Sequence, residues 1–211
     1  MPRRTDLARR AELARAAFEV LRVRGMQTSM RELADALGIK RPTLYFYFPD
    51  LGAVFETVLE QLYQALTEAV LARVATQSHP IDRIRAVIEG VLAFHRERPQ
   101  LIAGLFQLWA LGGRDLSIVL ERERRGVLAA REAMIAELRA GIARKEVRPC
   151  APERVVDLVL AFVQGAVVHH VIGIGAPSAA ASDAPDPTID ELAQRVLEPL
   201  RVQRRRKRAR S

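Results

Sequence analysis

The chain has 211 residues, 49% of them hydrophobic and 27% charged, a globular balance that excludes the apolar-poor, charge-rich composition of a disordered chain. The single cysteine, Cys150, excludes an internal disulfide, and no stretch reaches the ~18 uninterrupted apolar residues of a membrane span, since the most apolar segment, 155–174, contains Asp157, Gln164, His169 and His170. The formal net charge of +8 sits at the two ends: residues 1–48 hold ten Lys/Arg against five Asp/Glu, and residues 201–211 hold seven against none. That asymmetry favours an anionic partner at the termini, although the run 204–210 reads equally well as a solvated tail. No charged-then-apolar leader with a small-residue cleavage site opens the sequence, which together with the lone thiol predicts a reducing, cytoplasmic home.

Helical periodicity begins early. Ala14, Ala17, Phe18 and Leu21 share a stripe, with Arg10, Arg15 and Arg22 elsewhere around the helix, and Gly25 stops it. Ser29 and Glu32 have capping-box spacing and open a short second helix whose apolar side is Met30, Leu33, Ala34 and Leu37. Gly38 is its stop, two residues follow, and Pro42 stands where a first-turn proline starts a third helix. In residues 42–48, Leu44 and Phe48 are four apart and face inward, leaving Thr43, Tyr45, Phe46 and Tyr47 on the remaining surface. Pro49 and Asp50 break and re-cap the chain before a long helix over 51–76, within which the domain boundary is placed.

Beyond Ser78 the pattern is helices punctuated by proline or glycine. Pro80 starts one; Pro99 starts another, ended by Gly112 and Gly113; a long charged helix covers 114–145; a turn at 149–152 precedes an apolar helix ending near Gly173. Residues 173–187 read as a flexible connector, Thr188 and Glu191 as a capping box opening a last helix, and Pro199 as its kink or end. No alternation of strand type competes. The prediction is an all-α chain of about nine helices: a helix-turn-helix domain over 1–55, a helical effector-binding and dimerisation domain over 56–200, and a basic tail over 201–211.

Three short helices, the second and third joined by a tight glycine turn, are the minimal geometry for presenting one helix to a DNA major groove. Such a helix must be anchored on one side and free on the other. Leu44 and Phe48 anchor it; Lys40, Arg41, Thr43, Tyr45 and Tyr47 are then free to reach phosphates or base edges, with Arg31 entering from the second helix. Alone on a helix, Arg31 and Arg41 would be solvated charges, and Tyr45 and Tyr47 would pack at the domain junction; inside this motif they read as DNA contacts. Arg3, Arg4, Arg9 and Arg10 read either as an arm onto DNA or as an ordinary frayed terminus.

The run Thr28-Ser29-Met30-Arg31-Glu32-Leu33-Ala34, followed by Leu37-Gly38-Ile39, Pro42-Thr43-Leu44-Tyr45 and Phe48, resembles the TetR family of bacterial regulators over roughly residues 9–60. The resemblance implies nine helices, a homodimer formed by a four-helix bundle of the last two long helices, and a small-molecule effector pocket in the carboxyl-terminal region. By that likeness Arg31 and Arg41 occupy base-reading positions, and Thr43, Tyr45 and Tyr47 positions that touch phosphates or bases. Two residues depart from the family pattern: Leu51 stands where a phosphate-binding Lys is usual, and Lys40 where a capping Ser is usual.

Phe94, His95, Phe106, Trp109, Phe162, Gln164 and His169 fall on central helices and mix aromatic surface with sparse polar groups, as effector pockets do, although most such residues are core. His169 and His170 are helix neighbours about 100° apart and cannot hold one ion together, so no metal or other cofactor is expected. Cys150, in a proline-flanked turn with Arg148 nearby, reads as an inert thiol rather than a redox sensor. The reading that results is a ligand-responsive, sequence-specific DNA-binding transcriptional regulator, a repressor released from a palindromic operator by an effector. The competing readings are a non-specific DNA binder driven by the basic ends and an enzyme built on His95, His169 or Cys150, for which no orienting partner is recognisable by spacing.

Overall fold

The computed structural model describes residues 4–25, 27–98, 117–171 and 187–202. Among these, eight α-helices follow one another: α1 (Arg4–Arg24), α2 (Met30–Ala36), α3 (Arg41–Tyr47), α4 (Leu51–Ala75), α5 (Pro80–Arg96), α6 (Ser117–Ala143), α7 (Pro152–Val171) and α8 (Pro187–Leu192). A π-helical turn (Ala193–Leu197) and a 3-10 turn (Glu198–Leu200) close the series. Extended pairing among the described residues is confined to an isolated antiparallel bridge between Val147 and Arg201, so the chain is all-α. The helix expected over 99–112 and the connector expected over 173–187 fall largely on residues outside the described ones.

The chain divides into two compact units, residues 1–67 with 103–120 and residues 68–102 with 121–211, and the division falls inside α4. In the first unit the α1 stripe is completed by Leu13, and all five of its residues, Leu13, Ala14, Ala17, Phe18 and Leu21, are buried together with Leu33, Ala34, Leu44, Phe48, Leu51, Val54 and Val58. Phe18 meets Phe55 edge to face at 6.4 Å. The Gln61 side-chain amide donates to the Ala11 carbonyl at 3.2 Å, tying α4 to α1.

The second unit is held by one apolar cluster. Ile81, Ile84, Ile88 and Leu92 recur at helical spacing along α5 and meet Met134, Ile135 and Leu138 of α6, Val156, Val159 and Val163 of α7, and Ile189, Leu192 and Leu197 near the end of the chain. Around it, arginine–carboxylate pairs fix register. Arg131 donates to both oxygens of Asp157, at 2.6 and 3.1 Å, and Arg139 pairs with Glu153, so α6 and α7 run alongside each other in opposite directions. Arg85 joins Glu89 and Asp190, and Arg201 joins Glu198 and Asp82. The last pair holds the Arg201 guanidinium even further above its ordinary range. Because these groups are partly or wholly solvated, their charges are screened and burial of the aliphatic cluster outweighs the pairs.

Two sequence expectations at the carboxyl end divide. The helical run ends around Pro199, which sits in the middle of the 3-10 turn, as a residue lacking an N–H should. Thr188, expected as a cap, instead lies inside α8: the helix already runs from Pro187, a first-turn proline that needs no donor of its own.

Gly141 of α6 has no room for a side chain, since a Cβ there would lie 2.6 Å from Cγ2 of Val147 and 2.8 Å from Cγ of Pro80. Gly141→Ala is therefore expected to destabilise the fold by about 1–3 kcal/mol, read as a lower urea midpoint at constant m-value. A midpoint equal to that of the parent chain would show that the contact relaxes at no cost.

Candidate nucleic-acid interface

The α2–α3 unit is built by local chemistry at each of its ends. Gly25 closes α1 at φ +100, where a glycine is needed, and its carbonyl accepts from both the Thr28 backbone N–H (3.2 Å) and the Thr28 hydroxyl (2.6 Å). Ser29 then caps α2 reciprocally: its Oγ accepts from the Glu32 N–H at 3.3 Å, while Glu32 Oε2 accepts from the Ser29 N–H at 2.8 Å. Hydrogen bonds from the Ser29 hydroxyl and backbone, assisted by Arg24 and Arg31, hold the Glu32 carboxyl below its ordinary 4.5.

The turn between the two helices follows from Gly38. At φ +65 it lets the Ile39 N–H reach back to the Ala34 carbonyl (3.1 Å) while its own N–H reaches Asp35 (3.2 Å), which is the bonding of a Schellman stop. Lys40 is the N-cap residue of α3 without a side-chain cap, and Pro42 occupies the first turn. Leu44 and Phe48 are wholly buried and fasten α3 to the first unit's core. The Arg10 guanidinium of α1 lies over the Phe48 ring at 5.6 Å, and its Nε is buried without a hydrogen-bond partner. Arg9 pairs with Glu12 at 3.2 Å. Arg9 and Arg10 are thus part of α1 rather than of a terminal arm, because the helix runs from Arg4.

What α3 leaves outside is a polar, cationic and aromatic surface. Arg31, Lys40, Arg41 and Thr43 are exposed, Tyr45 is 51% exposed, and Tyr47 is half-buried with its ring against Phe46 and Phe48. All six expected DNA-contacting residues therefore lie on α2, α3 or the turn between them, five of them open to solvent. No acid stands in the first turn of α3, where the helix dipole favours one, while Lys40 and Arg41 place two cations there. These charges do not serve the helix itself. Leu51, where the family pattern has Lys, is buried; the α4 start is capped instead by Asp50, whose Oδ1 accepts from the Ala53 N–H at 2.9 Å. The residue missing from the expected set is Phe46, 74% exposed. Its spacing of three from Thr43 is the signal that places it on the outer face.

The residues expected around an effector are scattered by environment. Phe94 is buried on α5 beneath the Arg98 guanidinium, 4.0 Å from the ring centroid; His95 holds its Nδ1 2.7 Å from the Val91 carbonyl; Phe162 packs half-buried against the second unit's core. Gln164 and His169 are exposed on α7, and Phe106 and Trp109 lie outside the described residues. Burial, with a smaller contribution from Glu153, pushes the Cys150 thiol above its ordinary 9.0, opposite to what a reactive thiolate needs.

A buried-anchored, outwardly cationic helix-turn-helix on an all-helical chain defines a DNA-binding regulator. Residues 13–58 match the family model described as bacterial regulatory proteins, tetR family. Solved TetR regulators share its fold: one from Chloroflexus aurantiacus J-10-FL superposes with a TM-score of 0.71 at 20% identity, covering 95% of this chain and 100% of that one. Another, from Haloarcula marismortui ATCC 43049, does so at 0.70 with 16% identity, covering 92% and 100%. Among curated relatives, the nucleoid occlusion factor SlmA of Haemophilus influenzae (strain PittGG) is 28% identical over 101 residues, 47% of this chain and 46% of that protein. The chain thus spans about half the length of that relative. The SlmA of Marinomonas sp. (strain MWYL1) is 26% identical over 172 residues, covering 77% and 83%.

Removing the α2 cap with Ser29→Ala is expected to cost about 1 kcal/mol in thermal or urea unfolding. Since the Glu32 carboxyl is held below its ordinary value, its contribution is present above pH 4.5 and fades as the pH falls through the lowered folded value. Glu32→Gln should accordingly lose stability at neutral pH but little in acid below that window. An equal loss at both pH values would count against the capping box as its cause.

Proposed function

We propose that the protein is a ligand-responsive, sequence-specific transcriptional repressor that binds a palindromic operator as a homodimer and is released by a small-molecule effector. The observation that carries this reading is the division of α3 between wholly buried Leu44 and Phe48 and exposed Arg41, Thr43 and Tyr45. Arg41 suits bidentate contact with guanine, Thr43 and Tyr45 suit phosphate or base-edge hydrogen bonds, and Lys40 and Arg31 supply phosphate-directed charge. A pair of such helices, related by two-fold symmetry roughly 34–36 Å apart, fits successive major grooves.

For the homodimer, support comes from the outward side of α7. Leu158 and Val168 are 52% and 41% exposed, with Ala161 and Gly165 exposed between them, and Leu128 of the adjacent α6 is 42% exposed. Glycine inside a helix costs about 0.5–1 kcal/mol, and a Cβ at Gly165 would meet nothing within 4 Å in this chain, so close approach of a second copy gives the position a use. Effector binding is assigned to the second unit beside Phe94, His95 and Phe162. It would act by favouring a dimer geometry that misfits the operator, the differential contact being the cause of release.

A second reading follows from the curated relatives, which are named nucleoid occlusion factors: a protein that acts in nucleoid occlusion rather than in the control of a promoter. Selection from a random duplex pool, followed by competition with unselected duplex at moderate salt, tests the repressor reading. The repressor reading expects an enriched palindrome retained against about a thousandfold excess of competitor; loss of binding to an equimolar competitor would overturn it. Arg41→Ala should lose about 1–3 kcal/mol of discrimination at one base pair, whereas Tyr45→Phe should weaken all sequences alike. Leu158→Arg should turn the dimer into a monomer in sedimentation velocity without unfolding it.

A further inference from the structure

Leu44 and Phe48 are wholly buried, and they fix which line of α3 stands furthest from the core it is anchored on. Successive helix residues are about 100° apart around the axis. Phe46, midway in sequence between the two anchors, therefore stands about 180° from the middle of the pair, and Pro42, one turn earlier, lies within about 40° of it. Both are exposed, Phe46 by 74%. Thr43 and Tyr47 flank this line on one side, and Arg41 and Tyr45 on the other. The hydrogen-bonding side chains of α3 thus border an outermost line that carries none.

The Phe46 ring is also held. It meets the Tyr47 ring edge to face at 5.1 Å, and the Tyr47 ring stands 6.4 Å from that of Phe48, so a file of three aromatics runs from the core to the tip of the helix. Such buttressing lowers the rotamer freedom that the ring would lose on making a contact. A lone apolar side chain on a surface needs no explanation; a buttressed one at the outermost point of a cationic helix-turn-helix has a use there.

We infer that Phe46 is a specificity-determining residue that packs on the C5-methyl group of a thymine in the major groove, an inference that rests on the DNA-binding reading of α3. A helix that enters the groove with its anchored side turned outward presents the opposite line to the groove floor, where the base edges lie. A phenylalanine ring neither donates nor accepts a conventional hydrogen bond, and the thymine methyl is the apolar feature that marks a base edge there. Polar base-edge groups covered by the same ring would be left unpaired, which disfavours the other bases at that position. Exposed Arg31, Lys40 and Arg41 suit the neighbouring phosphates, and α3 itself carries no carboxylate. Two apolar residues make far too small a patch for a stable protein partner, whose interface takes about 20–30 residues a side.

The probe is the duplex enriched from the random pool by the full chain. Each of its thymines is replaced in turn by uracil, which removes that methyl and no hydrogen-bonding group, and affinity is measured for the full chain and for its Phe46→Ala variant. The parent should bind about fourfold more weakly when uracil replaces one particular thymine of a half-site, the effect of losing one buried methyl-sized group. Phe46→Ala should bind the thymine and uracil duplexes equally at that position. Each comparison is a ratio within one protein, so a smaller folded fraction of the variant cancels. An enriched duplex on which the parent tolerates every uracil, or on which Phe46→Ala keeps the fourfold loss, would overturn the inference and leave the DNA-binding reading standing. A pool from which nothing is enriched would overturn the sequence-specific reading and this inference with it.

Discussion

Burial of Leu44 and Phe48 is the constraint on which the exposed surface depends. A seven-residue helix does not form alone in water, because its nucleation is unfavourable and it gains too few hydrogen bonds to compensate. Two fully buried apolar side chains, each contributing about 2–3 kcal/mol, supply what α3 lacks. Once the helix is held from inside, its outer positions are released from any duty to stability. They carry residues that would be poor choices otherwise: two cations at the positive end of the helix dipole and a phenylalanine left in water.

The two units achieve order by different means. In the first, caps and turns decide where each helix starts and stops, and the polar contacts are mostly between residues a few positions apart. In the second, an aliphatic cluster is assembled from four helices and a closing turn, and arginines reach across long sequence separations to set the register. Cys150 is half-buried, and burial shifts its thiol toward the protonated form.

How much of this was legible in the sequence depended on range. Gly25, Ser29, Glu32, Gly38 and Pro42 act on neighbours two to five residues away, so helix ends in the first unit were readable, as were the inward sides of α1 and α3 from 3.6-residue spacing. The buried state of Leu51, which makes it core rather than a lost phosphate contact, depends on α4 packing and was not readable. Arg10 read either as part of a basic arm or as part of an ordinary terminus, because nothing local announces that Phe48 will lie beneath it. Thr188 and Glu191 had the right spacing for a cap, but Pro187 had already begun the helix. Of the aromatic and polar residues gathered as a pocket, spacing alone could not separate buried Phe94 from exposed Gln164 and His169, since that difference lies in which helix covers which face.

The anchorage of Arg201 on Asp82 joins residues 119 positions apart, and Arg85 with Asp190 spans 105. Loops of that size close late, after nearly the whole sequence has left the ribosome. The contacts described within α1 to α4 of the first unit need nothing beyond residue 67. During synthesis, then, these contacts of α1 to α4 can form while the part behind them is still an open chain, and the pairs that close the second unit come last.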